Sequence, residues 1–276
     1  MTNERTTAQW LILTMERAFG VFDMCMAVES AGYNYKCAGE LPLKTDELFP
    51  DGACVVLNGA AGRVAEINRK RGWLPNGWCE PEVFACKTYY EFWTRHIVQE
   101  RFTFLPFGSL LGQQSDLFES MAIGNKVFIR PDSFDKSFDG VLVERNDFER
   151  WLRRTSAGTT NDSTLCVVSQ PRLINDEWRL ILRDRRVIAG SSYRIGGRII
   201  KTETPPSDVI QFAESVASDP YPGLPNIYVM DTCAVGDRFA VVEVGSINAC
   251  GFYGCDLSVV IPAISDEAED QWRTMR

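Results

Sequence analysis

Asn226 to Asp256 reads NIYVMDTCAVGDRFAVVEVGSINACGFYGCD, and the rest of the chain is understood from this stretch outward. Ile227 to Met230 and Arg238 to Val244 are apolar and rich in β-branched residues, with Val235-Gly236-Asp237 between them as turn chemistry. Two strands joined by a tight turn are expected. The first run ends on an acid, Asp231, and the second carries Glu243, with Asn248 soon after. Carboxylates at the ends of apolar strands are costly to bury without a partner. A hard divalent cation that takes side-chain oxygens and completes its shell from bound phosphates is such a partner.

Composition bounds what surrounds this stretch. With 276 residues, 45% hydrophobic and 24% charged, the chain can bury a core divided over two or three subdomains. A net charge of −8 disfavours non-specific binding to nucleic acid or to an anionic membrane. No apolar run reaches the length of a membrane span. The amino terminus, MTNERTTAQWLILTM, has no small-residue cleavage pattern, so a signal peptide is not expected. Nine cysteines without a repeating pattern fit reduced thiols and a cytoplasmic setting. The single histidine, His96, excludes most chemistry that needs paired imidazoles, and it reads as a core or helix-surface residue. No C-x-x-C pair marks a structural zinc site, and no G-x-S-x-G elbow marks a serine hydrolase.

Towards the amino terminus, Trp10 to Met15 reads as a strand, Glu16 to Ala31 as a helix stopped by Gly32, and Cys54 to Leu57 as a second strand. Asn58-Gly59-Ala60-Ala61-Gly62 follows and opens the helix-like GRVAEINRKRG. This order predicts a small α/β layer with a parallel sheet. The glycine turn has two readings, a phosphate cradle or a loop needing permissive dihedrals, and the second is favoured. GWLPNGWCEP, Gly72 to Pro81, marks a boundary. The aromatic residues Trp73, Trp78, Tyr89, Tyr90 and Trp93 gather near it and read as packing. Thr88 to Arg101 and Ser115 to Ala122 are expected to be helical, with a short strand at Phe102 to Phe107 between them.

The second informative stretch is KVFIRPDSFDKSFDGVLVE, Lys126 to Glu144. Arg130 ends its first strand and Lys136 sits in the loop, a spacing that suits polyphosphate. A surface hairpin with solvated charges is the competing reading. Asn146 to Ala157 is expected to be a helix opening on Asn146 or Asp147 as cap. Leu165 to Ser169 is an apolar strand that breaks at Gln170-Pro171. DEWRLIL, Asp176 to Leu182, alternates, with Glu177, Arg179 and Ile181 on one face and Trp178, Leu180 and Leu182 on the other. The antiparallel return to Arg194 brings Arg179 and Arg194 towards one site. Ser207 to Ser218 reads as a helix, and Ser265 to Arg276 as a charged terminal helix with a solvated face.

KVFIRPDSFDKSF, LCVVSQP, DEWRLILRDRRVIAGSSYR, IYVMD and VVEVGSINACGFYGCD occur in the order seen in the ATP-grasp superfamily. The chain resembles a small bacterial and phage clade with arginine where larger relatives have lysine. The resemblance covers roughly residues 84 to 262. It implies an α/β (α+β) fold in which two lobes, 84–165 and 166–276, hold ATP between them. Residues 1–83 resemble the α/β layer that usually precedes these lobes. The resemblance further implies activation of a carboxylate as an acyl phosphate and its transfer to an amine. By position, Arg130 and Lys136 match phosphate-contacting cations, Val168, Ser169 and Gln170 the adenine hinge, and Glu177 a residue reaching ribose or adenine. Arg179 and Arg194 match arginines facing the γ-phosphate or the substrate carboxylate. Asp231, Glu243 and Asn248 match the magnesium ligands.

Many relatives write the last motif as Glu, any residue, Asn, and here that third position is Gly245. Either Asn248 replaces it through a bend at Gly245-Ser246, which is the favoured reading, or Asn248 caps the following turn and a ligand is lost. Two functions from different classes are expected. One is an ATP- and Mg2+-dependent ligase of small-molecule or peptide carboxylates with amines. The other is an ATP-binding regulatory or scaffold protein without turnover.

Overall fold

The computed structural model describes residues 7–13, 21–39, 48–75, 77–133, 137–158, 160–200 and 204–276. Its amino-terminal layer runs β1 (Gln9–Leu13), α1 (Val21–Ser30), β2 (Asn34–Ala38), β3 (Cys54–Asn58), α2 (Ala61–Lys70) and β4 (Leu74–Pro75). The end of the first expected strand and the start of the first expected helix, 14–20, lie outside the described residues. The strands form a parallel sheet in the order β2-β1-β3-β4. The expected parallel layer is therefore present. Strand β2 escapes the sequence reading because NYKCA is an edge whose side chains are largely exposed and carries no apolar run. The Gly72 to Pro81 segment, read as a boundary, instead supplies β4 and buries Trp73 and Cys79 in the core beneath α2. The glycine turn after β3 owes Gly59 to crowding, since a Cβ there would lie 2.6 Å from that of Leu13.

Next come α3 (Cys86–Phe92), β5 (Phe102–Pro106), α4 (Gln114–Met121), β6 (Lys126–Pro131), β7 (Val141–Glu144), α5 (Phe148–Ser156) and β8 (Leu165–Ser169). The helix expected over Thr88 to Arg101 stops at Phe92. Beyond it, Ile97 bridges to Val241, Val98 N–H donates to the Val241 carbonyl, and the His96 carbonyl accepts from Val241 N–H. An unpaired sheet edge competes with helix for those backbone groups, and here the edge wins. The strands make an antiparallel sheet ordered β5-β8-β6-β7. Val127, Ile129, Cys166 and Val168 point from one face into a core closed by Leu117 and Phe118 of α4 and Phe148 and Leu152 of α5.

The carboxy-terminal part contains β9 (Asp176–Arg183), β10 (Arg186–Ile195), β11 (Arg198–Ile199), α6 (Ser207–Ala217), β12 (Ile227–Val235), β13 (Arg238–Gly245) and α7 (Leu257–Met275). Its antiparallel sheet is ordered β11-β10-β9-β12-β13. One face, with Trp178, Leu180, Leu182, Tyr228, Met230 and Val244, packs on α3, α6 and the inward residues of the β5-β8-β6-β7 sheet. The other face is apolar at Ile181, Ile227 and Val229, where it meets Trp10, Ile12 and helices α1 and α7. Each such buried aliphatic side chain contributes about 1.5–3 kcal/mol.

Helix α7 corrects the solvated reading of Ser265 to Arg276. It begins eight residues earlier and buries Val260, Ile261, Ile264 and Ala268 against both neighbouring sheets. Trp10 Nε1 donates to Ser265 Oγ, and Arg183 pairs with the buried Glu267 and with Asp270. Trp73, Tyr89, Tyr90 and Trp93 are buried packing residues as expected, and the half-buried Trp78 packs on the core under α7. Among the described residues no helix is long and apolar enough to cross a membrane.

Candidate functional site

Strand register builds the site. Asp231 lies opposite Arg179 on β9 and opposite Glu243 on β13, and Arg179 lies opposite Ser191 on β10. Cross-strand partners share a face, so these four side chains form one row across the sheet. The row continues the face that carries Ile181 and Val229. That face is apolar where α7 and the amino-terminal layer cover it, and charged where the cover ends. Arg179, Asp231, Glu243, Gly245, Cys250, Gly251 and Tyr253 line a cleft of about 180 Å³ there.

Each carboxylate in the row is held by an arginine. Asp231 receives Arg179 Nε at 2.8 Å and Nη2 at 2.7 Å, a two-pronged pairing that fixes both groups. Glu243 meets Arg130 Nη2 at 3.2 Å, and Arg130 Nη1 reaches the Val242 carbonyl at 3.4 Å. Arg130 is buried and comes from β6, so this pair joins the two antiparallel sheets beside the cleft. A third acid, Glu177, lies opposite Arg194 and Cys233. Burial, then the negative charge of Asp231, pushes its carboxyl up to about 7 despite Arg194 and Arg179 nearby. Arg194 keeps a buried Nε with no hydrogen-bond partner among the described residues. The Cys250 thiol is pushed up to about 12 by burial, which removes it as a thiolate nucleophile.

The sequence-predicted residues separate into three groups. Arg130, Arg179, Asp231 and Glu243 come together, with Glu177 and Arg194 paired one row further along. Val168, Ser169 and Gln170 stand at the end of β8. The Val168 side chain points away from Arg130 into the core under α4 and α5. Ser169 shares the face of Arg130 and is buried, with an Oγ lacking a partner among the described residues. Gln170 is half-buried and donates its N–H to the Arg101 carbonyl at 3.2 Å. Lys136 lies outside the described residues.

Asn248 is the exception. It is absent from the cleft lining: its Nδ2 donates to the Leu57 carbonyl at 2.7 Å, and its own N–H donates to Ser246 Oγ at 3.1 Å. The chain bends at Gly245-Ser246, and the bend turns the Asn248 amide towards β3, while Ser246 is the residue that caps the following turn. The Arg179 guanidinium, expected to face the γ-phosphate or the substrate carboxylate, is engaged within the chain. Besides Asp231 it donates Nη1 to the Gly251 carbonyl at 2.7 Å and lies 4.4 Å from the Tyr253 ring centre. Tyr253 in turn stacks on Tyr193 at 4.9 Å. Nothing in the sequence marks these tyrosines as a stacked pair, and the structure holds Tyr253 at φ 51, between Phe252 and Gly254.

Magnesium fits this donor set in part. Asp231 and Glu243 offer facing hard oxygen ligands beside an open cleft, suited to an ion that takes its remaining ligands from phosphate. Among the described residues no three His, Cys, Asp or Glu side chains gather as a complete metal site.

Two antiparallel sheets with arginines and carboxylates meeting between them, preceded by a parallel α/β layer, are the architecture of ATP-grasp proteins. A family model described as an ATP-grasp domain, family 2 of its clade, matches residues 112–262, more than half of the chain, which belongs to that family. Solved structures agree on the fold. D-cycloserine synthetase DcsG superposes with a TM-score of 0.65 at 12% identity, over 97% of this chain and 100% of that one. D-alanine–D-alanine ligase from Bacillus anthracis gives 0.59 at 11%, over 97% and 98%. The ATP-grasp ligase PsnB, complexed with precursor peptide PsnA2 and AMPPNP, gives 0.55 at 13%, over 97% and 99%. No curated protein matches the sequence significantly. The family and the fold expected from the sequence are both borne out.

Proposed function

We propose that this protein is an ATP- and Mg2+-dependent ligase that activates a small-molecule or peptide carboxylate and joins it to an amine, releasing ADP and phosphate. The observation that supports the reading is the Arg130–Glu243 pair between the two antiparallel sheets, beside the Arg179–Asp231 pair. ATP binds between the two antiparallel sheets. The β8 end at Ser169-Gln170 meets the adenine, Glu177 reaches the ribose, and Arg130 meets the phosphates, with Lys136 as the further cation. Arg194, with its unpartnered Nε, is the better-placed arginine for the substrate carboxylate, while Arg179 orients Asp231 and the Gly251 carbonyl.

An oxygen of the carboxylate attacks the γ-phosphorus, the bond to the β-phosphate oxygen breaks, and ADP leaves. The amine then attacks the acyl carbon, expels phosphate and loses its proton to solvent. Arginines beside the transferring group supply charge stabilisation without a titrating histidine. Bound magnesium, held by Asp231 and Glu243, would neutralise part of the triphosphate charge. The division into residues 1–83, 84–165 and 166–276 belongs to this reading, with the first unit contributing to the acceptor side. Nine free cysteines fit a cytoplasmic setting.

The test is incubation with ATP, Mg2+ and pools of carboxylates and amines. The expected result is ADP release that requires both substrates, with a product heavier than the carboxylate by the amine less water. AMP and pyrophosphate as products would contradict the acyl-phosphate route. ATP binding with no turnover on any pool would favour the second reading, a nucleotide-binding regulator, which Gly245 at a usual ligand position supports.

A further inference from the structure

The last strand of the cleft carries an unusual pair of features. Gly245 follows Glu243 by two positions on β13, so its missing side chain would leave the same face as the carboxylate. It lies opposite Val229, and both line the cleft. A Cβ built on Gly245 meets nothing within 4 Å, and its backbone is outside the left-handed region that would demand glycine. Neither space nor dihedral strain therefore requires glycine here. The position is an empty place beside two carboxylates.

Three residues on, Asn248 is fully committed elsewhere. It is 2% exposed, its side-chain Nδ2 donates to the Leu57 carbonyl, and its backbone carbonyl accepts Gly59 N–H at 2.9 Å. The orientation of the amide follows from chemistry, because the Leu57 carbonyl can only accept and so must face the NH2 group. Gly77 packs against the same amide, with a built Cβ 3.3 Å from Asn248 Cγ. Swinging the Asn248 side chain into the cleft would take its buried Nδ2 away from the Leu57 carbonyl, which is a real cost.

We infer that the cation site of this chain is one side-chain ligand short: Asp231 and Glu243 hold the ion, Gly245 marks the gap, and Asn248 serves as a clamp joining the cleft's edge to the β3–α2 turn. The inference rests on the proposed ATP site and deepens it. The ion must then draw more of its shell from phosphate and water, so it is held loosely and mainly together with nucleotide. An oxygen-bearing side chain restored at Gly245 completes the set, while removal of the Asn248 amide leaves the ion's shell unchanged.

Mn2+ affinity in the presence of AMPPNP, read from water-proton relaxation on the full chain, separates the roles. Gly245→Asn, or Gly245→Asp if the first folds poorly, is expected to tighten Mn2+ roughly tenfold, the size of effect that ligand number has on hard-ion sites. Asn248→Ala is expected to leave Mn2+ affinity within about twofold while lowering the thermal midpoint by about 3–8 °C, the cost of a buried Leu57 carbonyl that loses its amide donor and of the space left behind. A tenfold loss of Mn2+ affinity in Asn248→Ala with an unchanged midpoint would overturn the assignment. So would unchanged Mn2+ affinity in both folded Gly245 variants. If the unmodified protein shows neither Mn2+ enhancement nor thermal protection by AMPPNP, the ATP reading itself fails and the inference falls with it.

Discussion

Glu177→Gln isolates the electrostatics of the cleft. In the ligand-free protein this carboxyl titrates at about 7, against an ordinary 4.5, because it is largely buried and close to Asp231. The sign follows from proton counting. Between the two values the folded state binds the proton and the unfolded state has released it, so stability falls as pH rises. The penalty is absent below about 4.5, grows through the interval, and is complete above 7. A shift from 4.5 to about 7 is worth roughly 3 kcal/mol, and residual solvent access trims this to roughly 1–3 kcal/mol. Glutamine keeps the shape and carries no charge, so the variant should gain on the parent as pH rises from 5 to 8. For a chain of this length the gain corresponds to about 2–10 °C in midpoint. Differential scanning calorimetry with EDTA and no nucleotide reads it directly. Parallel curves for parent and variant from pH 5 to 8 would refute the field assigned to Asp231 and the burial of Glu177.

Arg179→Ala removes three hydrogen bonds and strands the Asp231 carboxylate, so urea denaturation should report a loss of roughly 3 kcal/mol. A change under about 1 kcal/mol would mean that Arg179 is a free substrate ligand rather than the orienting group described here. Gly59→Ala forces a Cβ to 2.6 Å from Leu13 Cβ, and thermal unfolding should show a loss of roughly 1–3 kcal/mol. A neutral outcome would mean that the β3–α2 turn adapts and that Gly59 answers to something other than packing.

The acidic hairpin was legible because a turn of Val235-Gly236-Asp237 between β-branched runs fixes the pairing, and pairing places Asp231 opposite Glu243. The face of β9 was legible for the same reason: period-two alternation commits Arg179 and Glu177 to the side of Asp231. Asn248 was not. It follows the strand through a short 3-10 turn, where one dihedral decides which way a side chain points, and the decisive partner, the Leu57 carbonyl, is 191 residues distant in sequence. Helix α7 was misread because its charged end is what the sequence displays, while the apolar Leu257 to Ile264 half gains meaning only from Trp10 and Ile181 packed against it. Apolar neighbours in sequence announce only an anionic partner for Arg179, and the family resemblance alone points that partner towards phosphate or substrate. The competing acceptors, Asp231 and the Gly251 carbonyl, come from other strands and loops.

The central claim is that a nucleoside triphosphate binds between the two antiparallel sheets, with Arg130 and the Asp231–Glu243 pair at its phosphates. Its most direct measurement is the thermal midpoint with AMPPNP and Mg2+ for the unmodified protein, Arg130→Ala and Glu243→Gln. At a hundred times the dissociation constant, binding adds about 2.7 kcal/mol, or about 5–10 °C, to the unmodified protein. Each variant, compared with its own ligand-free midpoint, should lose most of that increment. An undiminished shift in both variants, or no shift in the unmodified protein, would contradict the account.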